Sequence, residues 1–365
     1  MFETNYASII EGFTKINPVQ YGKTRNFIDG SVTYLSPYIS RGVISTKQVL
    51  HYLLQNDFGM HNAEKLIQEL AWRDYWQQVW VNKRDQINSD IKSEQKNVNN
   101  HKVPQAILKG TTGIEAIDQA IHHFHKTGYI HNHIRMYIAS ISCNIANSHW
   151  LQPAKWMYYH LLDGDWASNA LSWQWVAGTN SNKKYYANQE NINKYCYTEQ
   201  INTFLDVPYS NFENLEIPTE LVKTDQVQLH TKLPKNSAIH IHSDLPTLIY
   251  NYYNLDPKWK SKIKANHILL LEPSVFEKYP ISNKNLNFML SLSQNIEGIQ
   301  IYTGEFQELL DEYRISDIYF KEHPLNYHYK GNEDAREWMF DVKGYYPSFF
   351  AFWKQCKKEF KTKIA

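Results

Sequence analysis

The chain has 365 residues, of which 42% are hydrophobic and 21% charged, a composition typical of a globular protein with a packed core. Its formal net charge of +1 excludes a uniformly basic nucleic-acid-binding surface but not a local basic groove. Three cysteines are too few for a four-thiolate iron–sulfur cluster and too scattered for a disulfide framework. Because the chain shows neither a signal peptide nor an apolar run near the ~18 residues of a membrane span, we expect a cytoplasmic protein with no membrane contact.

The first part of the chain, to about residue 210, predicts helices from the 3.6-residue spacing of its apolar positions. Ser36-Pro37 and Ser45 are candidate helix starts, because serine caps helices and proline fits the first helical position. The expected helices cover 66–81, the segment from Thr112 to Gly128, 130 to about 148, and a stretch from near Pro153.

After residue 191 the pattern changes. A polar, proline-containing segment over 211–236 is typical of a linker, and short β-type runs separated by helical patterns follow it. The β-type runs are AIHIH (238–242), HILLLE (267–272), GIQIYT (298–303) and DIYFKE (317–322). The helical patterns are 283–293, 305–313 and 347–361.

Strands that alternate with helices indicate a mostly parallel sheet covered by helices. We therefore predict a helical domain over 1–210, a linker over 211–236 and a smaller α/β domain over 237–365. No GxGxxG motif follows the first β-type run, so a dinucleotide site there is unsupported. A scaffold or docking role is favoured for this domain, with a ligand at the strand ends as the alternative.

Two clusters in the helical part allow more than one interpretation. His122, His123, His125, His131 and His133 are metal-ligand types, but no HExxH motif is present and Gly128 interrupts the cluster. Trp72, Trp76 and Trp80 form one stripe of a helix, which is more often plain core than a functional surface.

Four stretches read together are more specific than any of them alone. They are YGKTRNFIDGSVTYLSPYISRGVIS (21–45), IQELAWRDYW (67–76), GYIHNHIRMYIAS (128–140) and LLDGDWASNALSWQWVAGT (161–179). Their order and approximate spacing resemble the photolyase/cryptochrome family over roughly residues 15–195. The resemblance implies a mainly α-helical domain that binds FAD in a U shape, followed here by the predicted α/β domain.

The resemblance also implies a set of FAD-binding residues. Hydroxyl groups and unpaired N–H groups at a helix start suit the phosphates, and a buried aspartate needs a cationic partner such as Arg135. Tyr34 stands where the family usually has a basic residue. The expected FAD-binding residues are Tyr21, Val32, Thr33, Tyr34, Leu35, Ser36, Arg73, Arg135, Asp163, Asp165 and Asn169.

Asn169 occupies the position that faces flavin N5 in the family. Asparagine is the photolyase residue there, whereas plant cryptochromes carry a carboxylic acid. An amide can hydrogen-bond N5 but has no acidic proton to give, which suits a reduced or anionic flavin. The alternative for Asn169 taken by itself is an Asx helix cap.

The substrate side resembles enzymes that split cyclobutane pyrimidine dimers. Trp72 supplies an aromatic wall, Glu69 a charged hydrogen-bond partner and Asn132 a donor–acceptor pair for a flipped dimer. Enzymes for the six-four photoproduct carry histidines where Asn132 and Met136 stand. Arg25 matches a phosphate contact, and His133 replaces an arginine of many relatives, which predicts weaker or more pH-dependent DNA binding.

Two tryptophans match the family's electron-transfer chain. Trp173 corresponds to its flavin-proximal member and Trp150 to its middle member, while the surface member falls at Ile107, which cannot be oxidised. The electron-transfer path is therefore one tryptophan shorter here, or another aromatic residue ends it, either Trp156, Tyr158 or Tyr159. Trp175, two residues after Trp173, matches a tryptophan with a structural role and not a member of the electron-transfer path.

The expected function is light-dependent repair of cyclobutane pyrimidine dimers in UV-damaged DNA, with Glu69 and Asn132 acting on the dimer. The main alternative is a cryptochrome-like blue-light photoreceptor that signals through its C-terminal domain. A third is a flavoprotein that keeps the fold and cofactor but neither activity. Typical relatives have an α/β antenna domain before the FAD domain, whereas only ~15 residues precede the resemblance here, and the sequence leaves open whether an antenna pigment binds.

Overall fold

The structure is a computed structural model that describes residues 2–56 and 58–364. In chain order its α-helices are α1 Tyr6–Glu11, α2 Pro18–Thr24, α3 Ser36–Ser40, α4 Thr46–Gln55, α5 Met60–Lys83, α6 Gln105–Lys109, α7 Glu115–Thr127, α8 Asn132–Ser140, α9 Leu151–His160, α10 Trp166–Ala177, α11 Gln189–Cys196, α12 Pro273–Lys278, α13 Asn283–Ser293, α14 Phe306–Tyr313 and α15 Phe349–Ile364. Its β-strands are β1 Val103–Pro104, β2 Thr224–Asp225, β3 Thr247–Tyr250, β4 Asn266–Leu271, β5 Ile299–Thr303, β6 Ile318–Lys321 and β7 Asn332–Asp334.

The described chain forms two compact units. The sheet unit comprises Met1–Pro18, Thr33–Asn82 and His230–Ala365, and the helical unit comprises Val19–Val32 and Lys83–Leu229. These units do not follow the predicted division at residues 210 and 236, which stays a prediction about independently folding domains. The expected fold class, a mainly helical part followed by an α/β part with a parallel sheet, is confirmed.

At the core of the helical unit, α10 packs against both α8 and α9. Trp150 and Trp166 are among its largest fully buried side chains. The predicted helix end at Gly128 is confirmed, because Gly128 follows α7 with φ +74°. A Cβ there would lie 2.8 Å from Leu162 Cγ, so both the backbone angle and the neighbouring side chain require glycine.

The sheet unit contains a parallel sheet with the strand order β5-β4-β3-β6-β7 among the described residues. Leu248 of β3 pairs with His267 of β4 on one side and with Tyr319 of β6 on the other. Apolar side chains of the strands form one buried cluster with Phe306 and Leu309 of α14. Helices on a parallel sheet bury both of its faces, which explains the near-continuous apolar runs of the strands.

Most of the predicted elements are confirmed. The runs at 267–272, 298–303 and 317–322 correspond to β4, β5 and β6, and the pattern 283–293 corresponds to α13. Ser45 caps α4 in a capping box with Gln48. The helix expected over 130–148 is shorter, because α8 passes into a π-helical turn at Ile141–Ile145.

The strand predicted at 238–242 is wrong, since this stretch is not a strand in the structure. Its main chain bonds to amide side chains instead of to a neighbouring backbone: the His240 N–H donates to Gln300 Oε1 at 2.6 Å, and the His242 N–H donates to Asn266 Oδ1 at 2.9 Å. Ile239 is nevertheless buried in the cluster on the sheet. The alternation in AIHIH therefore predicted the buried residue Ile239 correctly but wrongly predicted pairing with another strand. In chain order, the first strand of this sheet is β3.

Each compact unit contains a fully buried thiol, Cys143 in the helical unit and Cys356 in the sheet unit. Burial raises the pKa of both thiols, because it disfavours the charged thiolate. Among the described residues, no helix is both long enough and apolar enough to cross a membrane.

Candidate active site

The most fully buried charged pair of the predicted site lies in the helical unit. Arg135 lies one turn into α8, and its Nη2 donates to both oxygens of Asp163, at 3.0 and 2.9 Å. The Arg135 Nε donates to the Ile130 carbonyl at 2.9 Å. The Asp163 side chain is only 3% exposed, so this pairing offsets the cost of removing its charge from water.

Asp165 and Asn169 follow on α10 with different local roles. Asp165 is the N-cap of α10, and its Oδ1 accepts a hydrogen bond from the Ser168 N–H at 2.7 Å. Asn169 lies one turn inside the helix, which excludes the Asx-cap interpretation of this residue. Its Nδ2 donates to the Ala154 carbonyl at 2.9 Å. Because a carbonyl only accepts, this bond turns the Asn169 Oδ1, an acceptor, away from Ala154.

The tryptophans differ in exposure and in hydrogen bonding. Trp150 and Trp173 are 0% and 2% exposed, whereas Trp175 is 38% exposed. The Trp150 Nε1 donates to Asp90 Oδ1 at 2.6 Å, and the Trp166 Nε1 donates to Asn88 Oδ1 at 2.7 Å. Sequence reasoning missed Asp90, because it lies in a polar stretch sixty residues before Trp150 and carries no motif.

The residue at the position of the expected surface tryptophan cannot be oxidised and is also buried. Ile107 lies on α6 and is 0% exposed, so it is a core residue in this structure. Of the aromatic residues that could end the electron path instead, Trp156 and Tyr158 are buried and Tyr159 is half-buried. Tyr159 is therefore the most accessible of the three.

The expected DNA-contacting residues of the helical unit lie near the start of α8. Asn132 is exposed, whereas His133 and Met136 are half-buried. The His133 Nδ1 bonds to the Asn26 carbonyl at 2.8 Å, and burial lowers the pKa of His133. His133 is therefore neutral at pH 7 and adds no positive charge near the start of α8.

The remaining helical-unit members of the predicted site, Tyr21, Arg25 and Val32, are half-buried. The Arg25 Nη1 donates to the Gly22 carbonyl at 3.0 Å. That bond holds the guanidinium against its own chain.

The sheet unit holds the predicted phosphate-binding segment. Thr33 Oγ1 accepts from the Leu35 N–H at 3.4 Å, and Leu35 is buried at the start of α3. Tyr34 has φ +53° and is 51% exposed, so its phenol points to solvent from a left-handed backbone. Ser36 begins α3, and Arg73 Nη1 donates to Ser40 Oγ on the same helix at 2.8 Å. The phosphate-binding role of this segment stays a prediction.

The sheet unit also holds the predicted lesion-pocket residues Glu69 and Trp72, one turn apart on α5 and both half-buried. The Trp72 indole stacks on the ring of Phe349, with centroids 3.7 Å apart and an interplanar angle of 11°. Phe349 begins α15 and is itself 2% exposed. One face of Trp72 is therefore covered by the C-terminal helix, a neighbour that sequence reasoning missed.

The histidine cluster serves the ends of neighbouring elements. His122 and His125 bond to the carbonyls of Lys109 and Leu108 at 3.1 and 3.0 Å. These carbonyls end α6 and have no partner within their own helix, so the two imidazoles satisfy them. His131 caps α8, its Nδ1 accepting from the His133 N–H at 3.2 Å.

Residues 66–205 match the family model of the FAD binding domain of DNA photolyase. The chain is 31% identical over 151 residues to a deoxyribodipyrimidine photo-lyase of Streptomyces griseus, a match covering 41% of this chain and 33% of that protein. It is 29% identical over 195 residues to the deoxyribodipyrimidine photo-lyase of Vibrio cholerae, covering 51% and 41%. The photolyase resemblance is confirmed.

The photolyase match has a limited extent. The chain spans between a third and about two fifths of the length of these curated photolyases, 33% and 41% respectively. Among solved structures, a cryptochrome of Synechocystis sp. PCC6803 aligns at 21% identity with a TM-score of 0.48, over 53% of this chain and 44% of that chain. The family match supports FAD as the cofactor.

Proposed function

We propose that this chain is a light-dependent DNA repair enzyme that splits cyclobutane pyrimidine dimers. The observation that carries the proposal is the buried Asp163–Arg135 pair within the segment that matches the FAD binding domain of DNA photolyase. A carboxylate that is only 3% exposed and held by one guanidinium nitrogen is a rigid polar group in an apolar core. Such groups fix the orientation of a bound cofactor.

Asn169 is the residue whose fit to a flavin can be judged from its bonds. Its amide nitrogen uses one N–H on the Ala154 carbonyl, which leaves the second N–H and the Oδ1 acceptor to address a ligand. A reduced flavin carries a proton on N5 and donates there, whereas an oxidised flavin only accepts. With Oδ1 at the position that the resemblance assigns to N5, Asn169 would accept from the N5–H of the reduced cofactor.

FAD, when bound and reduced, supplies the light-excited electron for ring splitting. The side chains would contribute binding and orientation. By the resemblance, Asp163 and Asp165 are assigned to polar groups of the cofactor, and Thr33 and Ser36 are assigned to its phosphates. The resemblance likewise assigns Glu69 and Asn132 to the carbonyl and imide groups of the flipped dimer, and Arg25 to a DNA phosphate. No general acid–base pair is required, because the bond is cleaved by electron transfer and not by hydrolysis.

The direct test illuminates the purified protein, loaded with FAD and chemically reduced, together with an oligonucleotide that contains one thymine dimer. We expect restored thymines in the light and none in the dark. Glu69→Gln keeps the size of the side chain and removes its charge, so it lowers the repair yield per photon while the bound flavin spectrum stays unchanged. A protein that binds FAD but leaves the dimer intact in the light contradicts the proposal.

A cryptochrome-like photoreceptor is the second candidate. The Trp72–Phe349 stack favours it, because the wall expected to receive the dimer is covered on one face by the C-terminal helix. The neutral His133, which weakens attraction to phosphates, favours it as well. Blue light would then change proteolysis of α15 or partner binding without splitting any dimer.

A further inference from the structure

The buried indole of Trp150 is bonded to a carboxylate that is itself held in place. Its Nε1 donates to Asp90 Oδ1 at 2.6 Å, a short, charge-assisted bond. The other oxygen, Oδ2, accepts from the Gln95 N–H at 2.7 Å. Gln95 is buried, and its own Oε1 accepts from the Trp150 N–H at 2.9 Å. Gln95 thus bonds both to the main chain of Trp150 and to the Asp90 carboxylate beside its indole.

His149 completes the surroundings of Asp90. Its Nε2 lies 3.3 Å from Asp90 Oδ1, and its Nδ1 accepts from the Leu151 N–H at 3.3 Å, which places the imidazole proton on Nε2. Burial lowers the pKa of His149, and the exposed His101 ring stacks on it at 4.8 Å. Asp90 therefore accepts hydrogen bonds from an indole, a main-chain N–H and a neutral imidazole, the acceptor pattern of an ionised carboxylate.

A second buried indole in the same unit provides a natural contrast. Trp166 is also 0% exposed, and it donates to Asn88 Oδ1 at 2.7 Å. The two bonds have nearly the same length, but an amide oxygen is a far weaker base than a carboxylate. The indole of Trp150 is thus bonded to a group able to take its proton, whereas the bond of Trp166 to Asn88 ends on an amide oxygen.

We infer that Asp90 takes the indole proton of Trp150 when Trp150 is oxidised. The inference rests on the proposed function in one respect, because photoexcited oxidised flavin is the one-electron oxidant. With FAD bound, its photoexcited oxidised form would accept one electron by way of the matched tryptophans, and loss of that electron would leave the Trp150 indole as a radical cation. Its Nε1–H bond then breaks, an O–H bond forms on Asp90, and the products at this site are a neutral indole radical and a neutral carboxylic acid.

The energetics of burial explain why this carboxylate is needed. Loss of an electron makes an indole N–H strongly acidic, and a cation at a side chain that is 0% exposed has little water to stabilise it. The negative charge of Asp90 stabilises the Trp150 radical cation before the proton moves, and the proton transfer then leaves both groups neutral. A neutral radical no longer attracts the returning electron, so the proton transfer slows charge recombination. Since Ile107 ends the expected path, Trp150 is the last matched tryptophan and gains most from this step.

The test compares the wild type with Asp90→Asn, which keeps the shape and the Oδ1 acceptor but cannot take the proton. In transient absorption after a flash on the oxidised-flavin protein, the wild type shows a tryptophan radical cation that converts into a neutral radical. We expect the radical cation to last at least roughly tenfold longer in Asp90→Asn. The conversion in the wild type also slows in D₂O, and this isotope effect is lost in the variant.

Three controls separate this inference from general damage. Asn88→Asp places a carboxylate against Trp166 and should leave the Trp150 radical unchanged. Trp150→Phe should remove the Trp150 radical and its conversion into a neutral radical, so that any remaining tryptophan signal comes from Trp173. In the flavin-free protein, the ¹⁵N-indole resonance of Trp150 should remain in its hydrogen-bonded range in Asp90→Asn, which shows that the fold and the bond survive.

The repair reaction distinguishes this inference from the proposed function. Dimer splitting by chemically reduced flavin does not pass through Trp150, so Asp90→Asn should split dimers as the wild type does. If neither protein splits dimers but the radical lifetimes differ, the proposed function fails and Asp90 remains the proton acceptor. Equal radical lifetimes, or no Trp150 radical in the wild type, overturn the role of Asp90 whatever the repair result.

Discussion

Both compact units bury a carboxylate, and they stabilise it in different ways. In the helical unit, Asp163 is paired with the guanidinium of Arg135. In the sheet unit, Asp74 accepts from the Thr46 hydroxyl at 3.0 Å and from the Met339 N–H at 2.9 Å. Burial raises the pKa of Asp74 to about 6, because neutral donors and distant cations do not compensate for lost hydration. The contribution of Asp163 to stability therefore depends on Arg135, whereas that of Asp74 depends on pH.

The largest effect is expected from breaking the ion pair. Arg135→Gln leaves Asp163 as an uncompensated charge at 3% exposure, so the helical unit should lose about 3–5 kcal/mol of unfolding free energy. Urea unfolding of the flavin-free protein measures this loss. The double variant Arg135→Gln/Asp163→Asn should recover most of it, since no charge is then buried. Equal stabilities of the single and double variants would show that the pair carries no such dependence.

Asp74→Asn should change the pH dependence of the sheet unit. The folded pKa of Asp74 is raised from 3.8 to about 6, so the contribution of Asp74 to stability is fully present below pH 4 and is lost as the pH rises through 6. Between pH 4 and 7 the wild type should therefore lose roughly 3 kcal/mol relative to Asp74→Asn. Urea midpoints across this range test it, and parallel curves for the two proteins would contradict it.

His131 in the helical unit should show the opposite slope over the same range. Burial lowers its folded pKa from 6.5 to about 4, so its contribution is present above pH 6.5 and is lost as the pH falls toward 4. His131→Asn keeps an N-cap for α8 and removes the titrating group. Allowing for solvent screening, the wild type should lose about 2 kcal/mol relative to this variant between pH 7 and 4. A difference that is independent of pH would refute the assignment.

The smallest effect concerns the neutral amide bonds of the sheet unit. Gln300 accepts from the His240 N–H and donates to the His240 carbonyl at 2.8 Å. Gln300→Leu removes both bonds at an exposed segment and should cost about 1 kcal/mol. Hydrogen exchange should show a faster His240 amide with unchanged exchange in β4, whereas the exposed control Gln294→Leu should change neither. Unaltered exchange at His240 would mean that Gln300 does not hold this segment.

Local sequence patterns located most helices and strands but did not predict which residues these segments bond to. The 3.6-residue spacing located α13 at its observed bounds, and the apolar runs located β4, β5 and β6. The failure at 238–242 arose because side-chain amides of Gln300 and Asn266 occupy the places of a backbone partner. Such a substitution depends on residues 24 to 60 positions away and leaves no periodic signal near the segment.

The same limit applies to the candidate site. The motif order pointed to Arg135, Asp163 and Asn169; the structure shows the bonds of these residues within the helical unit, and their roles toward a cofactor stay predictions. Asp90 and Phe349 were missed, because each reaches its tryptophan only through the folded chain. Sequence reasoning thus named residues that a family shares, and the structure added the neighbours that this chain supplies itself.

The two buried thiols have a consequence for how the units can be observed. Cys143 and Cys356 are both 0% exposed, and neither forms a disulfide. An alkylating reagent reaches such a sulfur only when the surrounding structure opens, so its modification rate reports a local opening free energy. One of the two buried thiols lies in each unit, so mass spectrometry of the peptides that carry Cys143 and Cys356 reports the opening of each unit separately. The half-buried Cys196 of the helical unit is labelled on a peptide of its own.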